Sequence, residues 1–450
     1  MEFCIGEKGM VPILGQMSNA CPERPRILLV APNISRLMGG EAIKALQIFE
    51  TYRDLGYDVV QVAHARVRNE MRDYRPELEI VYVEDGPVQV MLYRMGLKWI
   101  LDVVGAWLLH RKAQQMIDQC PPALVHVTSP ISPSVPNFPL KGAPVVIGPL
   151  NGNLLHPDGL SHRESAAKRV GSRLLRSVQL VNRFFFRGRV GAALFISGGE
   201  RTVRALALGG CTRDQMIFTL DSGVSAELRD RPRLRHEARN TRFVFLGRLV
   251  RYKGCDLAIR ALARVPDATL DVIGDGQERA ALEDLARSLG VADRVNFIGY
   301  VPGGTELFDR LRPYRAFVFP TLAEANGIVV QEAMMLGLPV IAVNWGGPAE
   351  LLDASCGILV EPIDEEHVVR QVAEAMARLI DDPQAADRLA AAARAKAEQE
   401  GYDWPSLLHH WADIYDDILA RRGDERRFGP WLAARQPEGP ASALPLGATS

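Results

Sequence analysis

The sequence predicts an α/β protein built from two doubly wound domains. Its 450 residues exceed the length of an ordinary single domain and are typical of a two-domain protein. Short apolar runs of strand length alternate with longer helical patterns, beginning with residues 26–31, a helical stretch and residues 58–63. This β-loop-α-β order is the repeating unit of a parallel sheet that carries helices on both faces.

The pattern divides the chain into consecutive segments with different compositions. They are an extension (1–25), a first domain (26–220), a linker (221–240), a second domain (241–403), a terminal helix (404–421) and a tail (422–450). The linker is polar, charged and contains proline. The tail is rich in Pro, Ala and Gly, which predicts disorder. Within the first domain, residues 88–109 are predicted to form one long helix.

Composition narrows the classes of protein and the compartment. The net charge of −1 gives no global attraction to nucleic acid. Six scattered cysteines form no C-x-x-C pair, which argues against a zinc site or a disulfide framework and fits a reducing compartment. The most apolar stretch, residues 99–109, is too short to span a membrane and contains Asp102. We therefore expect a cytoplasmic protein without a secretory signal.

Residues 319–338 (FPTLAEANGIVVQEAMMLGL) form the stretch around which the chain is organised. They predict a strand end, a loop with Glu324, and a helix with Glu332 eight positions later. That helix is otherwise apolar on nearly every face, which is typical of a buried helix. A buried carboxylate needs a partner, and ligand hydroxyl groups would supply one. Alternatively, Gln331 and Glu332 mark a narrow solvated edge of the helix.

Two cations lie at the corresponding edge of the second domain. Arg248 and Lys253 fall between a predicted strand at 243–246 and a helix that begins at Asp256. Ligands of open α/β sheets bind at this edge, and two cations beside a helix N-terminus suit a diphosphate. The alternative is that these are solvated loop charges, as we interpret Arg251.

The spacing of Glu324 and Glu332 resembles the E-x7-E signature of retaining family 4 glycosyltransferases. Further segments follow that family's order and spacing, namely FVFLGRLVRYKG (243–254), LDVIGDG (270–276), VNFIGYVP (295–302) and LPVIAVNWGGPAELL (338–352). The resemblance is strong over most of the second domain and weak over the first. It implies the GT-B fold, in which two facing Rossmann-like domains form an active-site cleft and a terminal helix crosses back to the first domain.

The resemblance also implies a reaction and assigns roles to residues. A sugar would move from a nucleotide diphosphate sugar to an acceptor hydroxyl with retention at the anomeric carbon. Arg248 and Lys253 would bind the diphosphate, and Glu332 the ribose hydroxyls. Glu324 would contact the donor sugar. The backbone N–H groups at the start of the helix, those of Gly327 and Ile328, would stabilise the leaving group.

The first domain contributes a glycine pair, Gly39 and Gly40, after its first strand. Such glycines let backbone N–H groups approach a phosphate, and in the family they lie near the donor phosphates. The pattern is not G-x-G-x-x-G, which argues against a dinucleotide cofactor. The chain contains no D-x-D sequence. We therefore expect no metal and no cofactor beyond the nucleotide sugar, which is a co-substrate.

His126 is the remaining candidate catalytic residue. Many family members place a histidine at a strand end in a pattern ending H-E-P, whereas this chain reads His126-Val127-Thr128-Ser129-Pro130. Aligning the prolines puts Thr128 at the family's histidine. His126 lies two residues earlier, so its side chain would point to the same face of the strand as that of Thr128. It could therefore reach the cleft from the preceding position on that face. A buried histidine bonded to a backbone carbonyl is the equal alternative.

Partners and pathway are less determined. The segment from Arg163 to Arg189 is strongly basic with interleaved apolar residues, which indicates either a solvated helix or docking to an anionic membrane surface. The expected acceptor is a glycan or lipid-linked glycan in bacterial polysaccharide assembly. The family often reads E-G-F-G where this chain has Glu324-Ala325-Asn326-Gly327, which leaves the donor sugar open. A nucleotide-sugar epimerase and an inactive binding subunit remain alternatives.

Overall fold

The structure, a computed structural model, describes residues 25–152, 156–164, 179–180, 183–236 and 238–420. The tail predicted to be disordered lies outside the described residues. So does the predicted extension, except for its last residue.

The first domain is built on a parallel sheet. Its strands are β1 (Arg26–Val30), β2 (Asp58–His64), β3 (Ile80–Val83), β4 (Leu124–Val127), β5 (Val145–Asn151), β6 (Ala193–Ser197) and β7 (Met216–Phe218). Within the described residues these seven strands pair in the order β3-β2-β1-β4-β5-β6-β7, and every pairing is parallel. The strands are almost continuously apolar and buried, as expected for a parallel sheet with both faces covered.

Helices cover both faces of this sheet. They are α1 (Gly40–Asp54), α2 (Arg68–Tyr74), α3 (Pro87–Arg94), α4 (Lys98–Gln119) and α5 (Gly199–Leu208), with short 3-10 turns at Ala65–Val67, Asp158–Arg163, Arg187–Arg189 and Arg213–Gln215. The single long helix predicted for residues 88–109 is wrong, because the chain forms α3 and α4 there. Gly96 has φ of +70° between them, a backbone conformation that an α-helix does not contain.

The second domain repeats the same architecture. Its strands are β8 (Arg242–Leu246), β9 (Thr269–Ile273), β10 (Val295–Gly299), β11 (Ala316–Phe319), β12 (Val340–Val343) and β13 (Ile358–Val360), in the parallel order β10-β9-β8-β11-β12-β13. Its helices are α6 (Ala226–Arg229), α7 (Cys255–Leu262), α8 (Arg279–Ser288), α9 (Thr305–Leu311), α10 (Ile328–Leu336), α11 (Gly347–Leu351), α12 (Glu365–Asp381) and α13 (Pro383–Gln399), with 3-10 turns at Arg251–Lys253 and Ala292–Arg294.

The strand order reverses once in each sheet, between β1 and β4 and between β8 and β11. Loops that leave neighbouring strands on the two sides of such a reversal run in opposite directions and open a crevice at the carboxyl ends of the strands. The topology therefore fixes where a ligand site can form before any side chain is considered.

The last helix, α14 (Trp404–Ala420), packs against the first domain, as predicted. Trp411 and Tyr415 are completely buried in a core that includes Ile27 of β1 and Phe49 of α1. The indole nitrogen of Trp411 donates a hydrogen bond to the Thr219 hydroxyl at 2.6 Å. This helix ties the end of the second domain to the first.

The predicted linker is packed along much of its length. Leu228 and Leu234 lie in the core of the second domain, and Arg233 forms an ion pair with Asp387 of α13 at 2.9 Å. At its start, the buried Asp221 pairs with Lys44 of α1. Although the composition of this segment is polar, its few apolar side chains and its paired charges attach it to both domains.

Candidate active site

The loop that follows β8 carries Arg248 and Lys253 to the crevice of the second sheet. It ends at Gly254, which has φ of +73° and caps α7. A Cβ at this position would lie 2.1 Å from the carbonyl oxygen of Pro320. Glycine is therefore required both by the left-handed backbone and by the close approach of the loop after β11. The two loops of the strand-order reversal are in direct contact.

Lys253 and Glu324 form an ion pair across this contact, and each side chain is only 16% exposed. The Lys253 ammonium also lies 5.1 Å from the centroid of the Phe319 ring. The backbone N–H of Ala325 donates to Oε1 of Glu324 at 3.2 Å. The predicted diphosphate ligand and the predicted catalytic carboxylate thus form one cluster.

Arg248 is exposed and keeps most of its donors toward solvent. Its guanidinium donates a hydrogen bond to the Tyr252 hydroxyl at 3.3 Å. Arg251 is exposed as well. Of the two predicted phosphate ligands, one is therefore fixed by a carboxylate and the other is held only loosely.

Gly327 is the N-cap of α10 and has φ of +80°. An L side chain would be strained there, so glycine sets the direction in which the helix leaves the loop. Ile328 is the first helical residue. The first N–H groups of a helix have no intrahelical partner, and they carry the positive end of the helix dipole. This terminus begins three residues after Glu324, on the same loop.

Burial raises the pKa of Glu332 to about 7. No group in the described part of the chain forms a hydrogen bond with its carboxylate. The adjacent Gln331 is completely buried, and neither polar atom of its side chain has a hydrogen-bond partner in those ranges. The solvated-edge interpretation therefore fails for Gln331. Glu332 is a partly buried acid whose hydrogen-bonding capacity is unused.

The glycine pair of the first domain lies where β1 leads into α1. Gly39 has φ of −63°, and Gly40 is not in the left-handed region. A Cβ at either position would meet no atom within 4 Å. Neither backbone conformation nor packing within the chain therefore demands glycine here, and both residues are exposed.

His126 lies in the core between the first sheet and α14. It is completely buried, with the rings of Phe195, Trp411 and Tyr415 around it. Its Nε2–H donates to the carbonyl oxygen of Gly148 at 2.8 Å, which leaves Nδ1 to accept from the Tyr415 hydroxyl. Burial lowers the pKa of His126 to about 4. This is the geometry of the buried-histidine alternative.

Thr128 follows two residues later, just beyond the carboxyl end of β4. It is 2% exposed, and its hydroxyl has no hydrogen-bond partner within the described ranges. Since β4 is one of the two strands at the reversal, Thr128 follows a strand end at which the crevice of the first sheet can open.

Sequence reasoning missed Arg201 of α5. Its guanidinium donates to Oδ1 of Asn151 at 3.1 Å and to the carbonyl oxygen of Ala325 at 3.3 Å, so it joins the two domains beside Glu324. Burial lowers the pKa of Arg201 although Glu350 and Glu324 lie nearby. The available signal was its position just after a predicted strand, the same rule that identified Arg248.

Asn326 explains the departure from the family pattern in structural terms. Its side-chain amide donates to the hydroxyl of Ser222 at 2.7 Å. The loop that carries Glu324 is therefore fastened to the start of the linker, directly after the buried Asp221.

The two ends of the basic segment are not surface charges, which corrects the expectation for them. The side chain of Arg163 is 3% exposed and paired with carboxylates of the second domain. Arg189 is buried, and its guanidinium donates to three backbone carbonyls of the loop at 132–135. Burial of these groups excludes both from a membrane-docking face.

Part of the remaining segment is exposed. Residues 165–178 and 181–182 lie outside the described ranges, but Phe184 and Phe185 are 73% and 75% exposed. They lie between Arg183 and Arg187, which are exposed too. Across the described residues, no helix combines the length and apolarity that crossing a membrane requires.

Two doubly wound domains and a terminal helix that returns to the first domain are the architecture of the GT-B fold, and a family model matches most of the second domain. Residues 227–396 match the model of the family described as "Glycosyl transferases group 1". The second domain therefore belongs to this family, as the resemblance in the sequence predicted.

Curated relatives match over a similar part of the chain. Glycogen synthase of Mycobacterium tuberculosis is 34% identical over 188 residues, which are 41% of this chain and 44% of the relative. The lipopolysaccharide core biosynthesis glycosyltransferase LpsE of Rhizobium meliloti is 35% identical over 137 residues, 29% of this chain and 38% of the relative. The chain thus matches less than half the length of each of these proteins.

Solved structures extend the similarity of fold to nearly the whole chain. HepE of Anabaena, solved in complex with UDP, covers 87% of this chain and all of its own, with a TM-score of 0.60 and 19% identity. WaaG, a glycosyltransferase involved in lipopolysaccharide biosynthesis, covers 86% of this chain and 99% of its own, with a TM-score of 0.57 and 18% identity. At this identity the likeness confirms the predicted GT-B fold for both domains.

Proposed function

We propose that the chain is a retaining glycosyltransferase that moves a sugar from a nucleotide diphosphate sugar to an acceptor hydroxyl. The observation that carries this proposal is the meeting of two loops at the strand-order reversal of the second sheet, which brings Lys253 against Glu324. The family of the second domain and the nucleotide in the HepE structure support the same reaction class.

The hard step of such a transfer is departure of the diphosphate, because negative charge gathers on it. Lys253 and Arg248 offer two cations at this position, and the helix that begins at Ile328 offers N–H groups after Gly327. Lys253 and the helix N–H groups are fixed in place before the reaction and would stabilise the leaving group without reorganisation, and the exposed Arg248 would close onto the diphosphate. In this proposal they do the work that a metal ion does in other enzymes, so transfer would be metal-independent.

The two carboxylates have different tasks in the proposed site. Glu332 is a partly buried acid with no hydrogen-bond partner among the described residues, and ribose hydroxyl groups would donate to it. Glu324 would contact the donor sugar once the diphosphate shares Lys253 with it. Gly40 would let the first domain's backbone approach the donor phosphates, since nothing else in the chain explains a glycine there.

The proposed acceptor and cellular location are based on the relatives' names and on an exposed apolar pair. LpsE and WaaG act in lipopolysaccharide synthesis by their names, which supports a glycan or lipid-linked glycan as acceptor. The exposed pair Phe184 and Phe185, flanked by Arg183 and Arg187, suits the interface of an anionic membrane. The protein would then work at the inner face of the membrane, in the cytoplasm.

A two-stage experiment tests the proposal. A thermal-shift screen of nucleoside diphosphates and nucleotide sugars identifies the donor, because a ligand that binds only the folded state raises the melting temperature. Incubating that donor with candidate acceptors then gives a product whose anomeric configuration NMR spectroscopy reports. An inverted product overturns retention. Free epimerised sugar without an acceptor indicates an epimerase, and binding without any turnover indicates an inactive subunit.

A further inference from the structure

Residues 156–164 come from the first domain but pack as part of the second. Leu160 is completely buried within the second domain's core. A Cβ at Gly159 would lie 1.8 Å from the carbonyl oxygen of Ile363, so only glycine lets the two backbones come this close. We refer to residues 156–164 as the strap. Its apolar anchor and its backbone contact hold it against the second domain.

Arg163 is the next-to-last residue of the strap and lies beside the phosphate loop, defined as residues 247–254. Its Nη2 donates to both carboxylate oxygens of Asp256 at 2.7 and 2.8 Å. Asp256 is the second residue of α7, the helix that follows the phosphate loop directly. The same nitrogen lies 3.5 Å from the carbonyl oxygen of Arg251, inside that loop.

A second carboxylate completes the cluster. Nη1 of Arg163 lies 3.1 Å from Glu365, the first residue of α12, which also accepts from His162 at 2.9 Å and Arg260 at 2.8 Å. Burial opposes ionisation of Glu365, but the hydrogen bond from His162, the charge of Arg163 and the hydrogen bonds from Arg260 and Arg163 hold its pKa at about 2. The cluster is therefore charged at neutral pH, and its partners come from both domains.

We propose that Arg163 is a positioning residue through which the first domain sets the geometry of the phosphate loop. This inference rests on the proposed function of that loop. The planar guanidinium holds Asp256 through Nη2 and Glu365 through Nη1, so it fixes direction as well as distance, which a single point charge does not. The Asp256 end of α7 and the loop before it are thus held by a side chain that touches neither Arg248 nor Lys253.

The test compares variants of the full chain for binding of UDP, GDP and ADP, each set against its monophosphate, by calorimetry. Arg163→Met should weaken binding of the diphosphate that wild type prefers by about 10-fold, while the monophosphate changes much less, because a displaced loop loses the distal phosphate first. Arg163→Lys should recover less than half of this loss on a logarithmic scale, since one ammonium nitrogen replaces the two guanidinium nitrogens that pair with Asp256 and Glu365. Arg264→Met is the control, because it removes an exposed ion pair of the same kind to Glu366 beyond the same helix.

Loss of stability is separated from loss of positioning by the double variant Arg163→Met/Asp256→Asn. It leaves no partly buried carboxylate at position 256 unpaired, so its melting temperature should return toward that of wild type. The diphosphate affinity should stay low, because the tie is still absent. If affinity returns together with melting temperature, or if Arg163→Met never changes the diphosphate-to-monophosphate ratio, the cluster is structural only. Failure of the proposed function looks different, since wild type itself would then bind none of these diphosphates.

Discussion

The two domains share one topology but differ in how directly their sequences display the site. In the second domain, Lys253 and Glu324 lie on short loops whose path is set by Gly254 and Gly327, both at positive φ. In the first domain the histidine that looked catalytic, His126, lies within the core instead. The difference teaches that spacing reveals chemistry where a few local residues fix the geometry, and fails where tertiary packing does.

The largest effect is expected when both cations of the second domain's proposed phosphate site are removed. The double variant Arg248→Ala/Lys253→Ala should lower transfer by about 10³-fold or more, because charge on the leaving diphosphate is no longer offset. Affinity for the nucleoside diphosphate should fall with it, and excess Mg²⁺ should not restore activity. Steady-state rates and calorimetric titration measure both quantities.

Arg251→Ala is the matched control for this pair, since its side chain is exposed in the same loop. It should keep near-normal kinetics. A double variant that still bound the diphosphate normally would place the phosphates elsewhere and would remove the contrast between the domains.

Glu332→Gln should have the next largest effect on nucleotide binding, and it tests the role proposed for Glu332 in the second domain. Losing a charged hydrogen-bond acceptor should weaken nucleotide binding by about 1.5–3 kcal/mol. Glu332 is ionised only above its pKa of about 7, so wild-type affinity should rise as pH increases through that value. Affinities measured from about pH 5.5 to about pH 8.5 would show this rise in wild type and a flat profile in the variant.

Stability should move the opposite way. Burial raises the pKa of Glu332 above its unfolded value near 4.5, so between these values the folded chain binds more protons than the unfolded chain. The wild-type free energy of unfolding therefore falls as pH rises toward 7. Glu332→Gln has no ionisable group there and does not undergo this loss. The difference in free energy of unfolding between the variant and wild type should therefore shift in favour of the variant by on the order of 1–2 kcal/mol from about pH 5 to about pH 8. Equal pH profiles of stability would show that Glu332 is not a strained acid.

The fold could be predicted in large part because its signals are local. Apolar runs such as residues 26–31 and 243–246 marked parallel strands, and their alternation with helices indicated both domains, whereas the return of the last helix came from the family resemblance. The predicted helix at 88–109 failed, because the left-handed turn at Gly96 depends on how α3 and α4 pack. The amphipathic pattern alone does not specify that break.

The site could be predicted only where strand ends and loops identify it. Spacing placed Arg248 and Lys253 at a strand's carboxyl end and Glu332 on a buried helix, and the structure brings Lys253 to Glu324. No spacing links Arg201 to Ala325, or Arg163 to Asp256, because these partners are separated by 124 and 93 positions and meet only through domain packing. The charge pattern around Arg163 even favoured the surface, since sequence does not show which cation is paired.

The smallest expected effect on catalysis concerns His126, and it tests the contrast between the domains most directly. The buried geometry predicts that His126→Ala costs about 2–4 kcal/mol of stability, through a cavity and two lost hydrogen bonds. Single-turnover rate per folded molecule should change by less than about threefold, whereas loss of a positioned catalytic group costs about 10²-fold or more.

Three further measurements decide between His126 and Thr128. Burial lowers the pKa of His126 from its ordinary value of 6.5 to about 4. Between these two pH values the unfolded chain binds more protons than the folded chain. The free energy of unfolding of wild type should therefore fall as the pH drops from 6.5 to about 4. The His126→Ala variant should lack that part of the fall.

Tyr415→Phe removes only the hydroxyl that bonds Nδ1, and should cost about 1 kcal/mol of stability without altering turnover. Thr128→Ala, in contrast, should slow turnover more than either, because Thr128 follows a strand end at the reversal and its hydroxyl has no partner among the described residues. If His126→Ala instead abolishes single turnover in a chain that melts normally, the catalytic interpretation of His126 stands, and the first domain displays its chemistry as openly as the second.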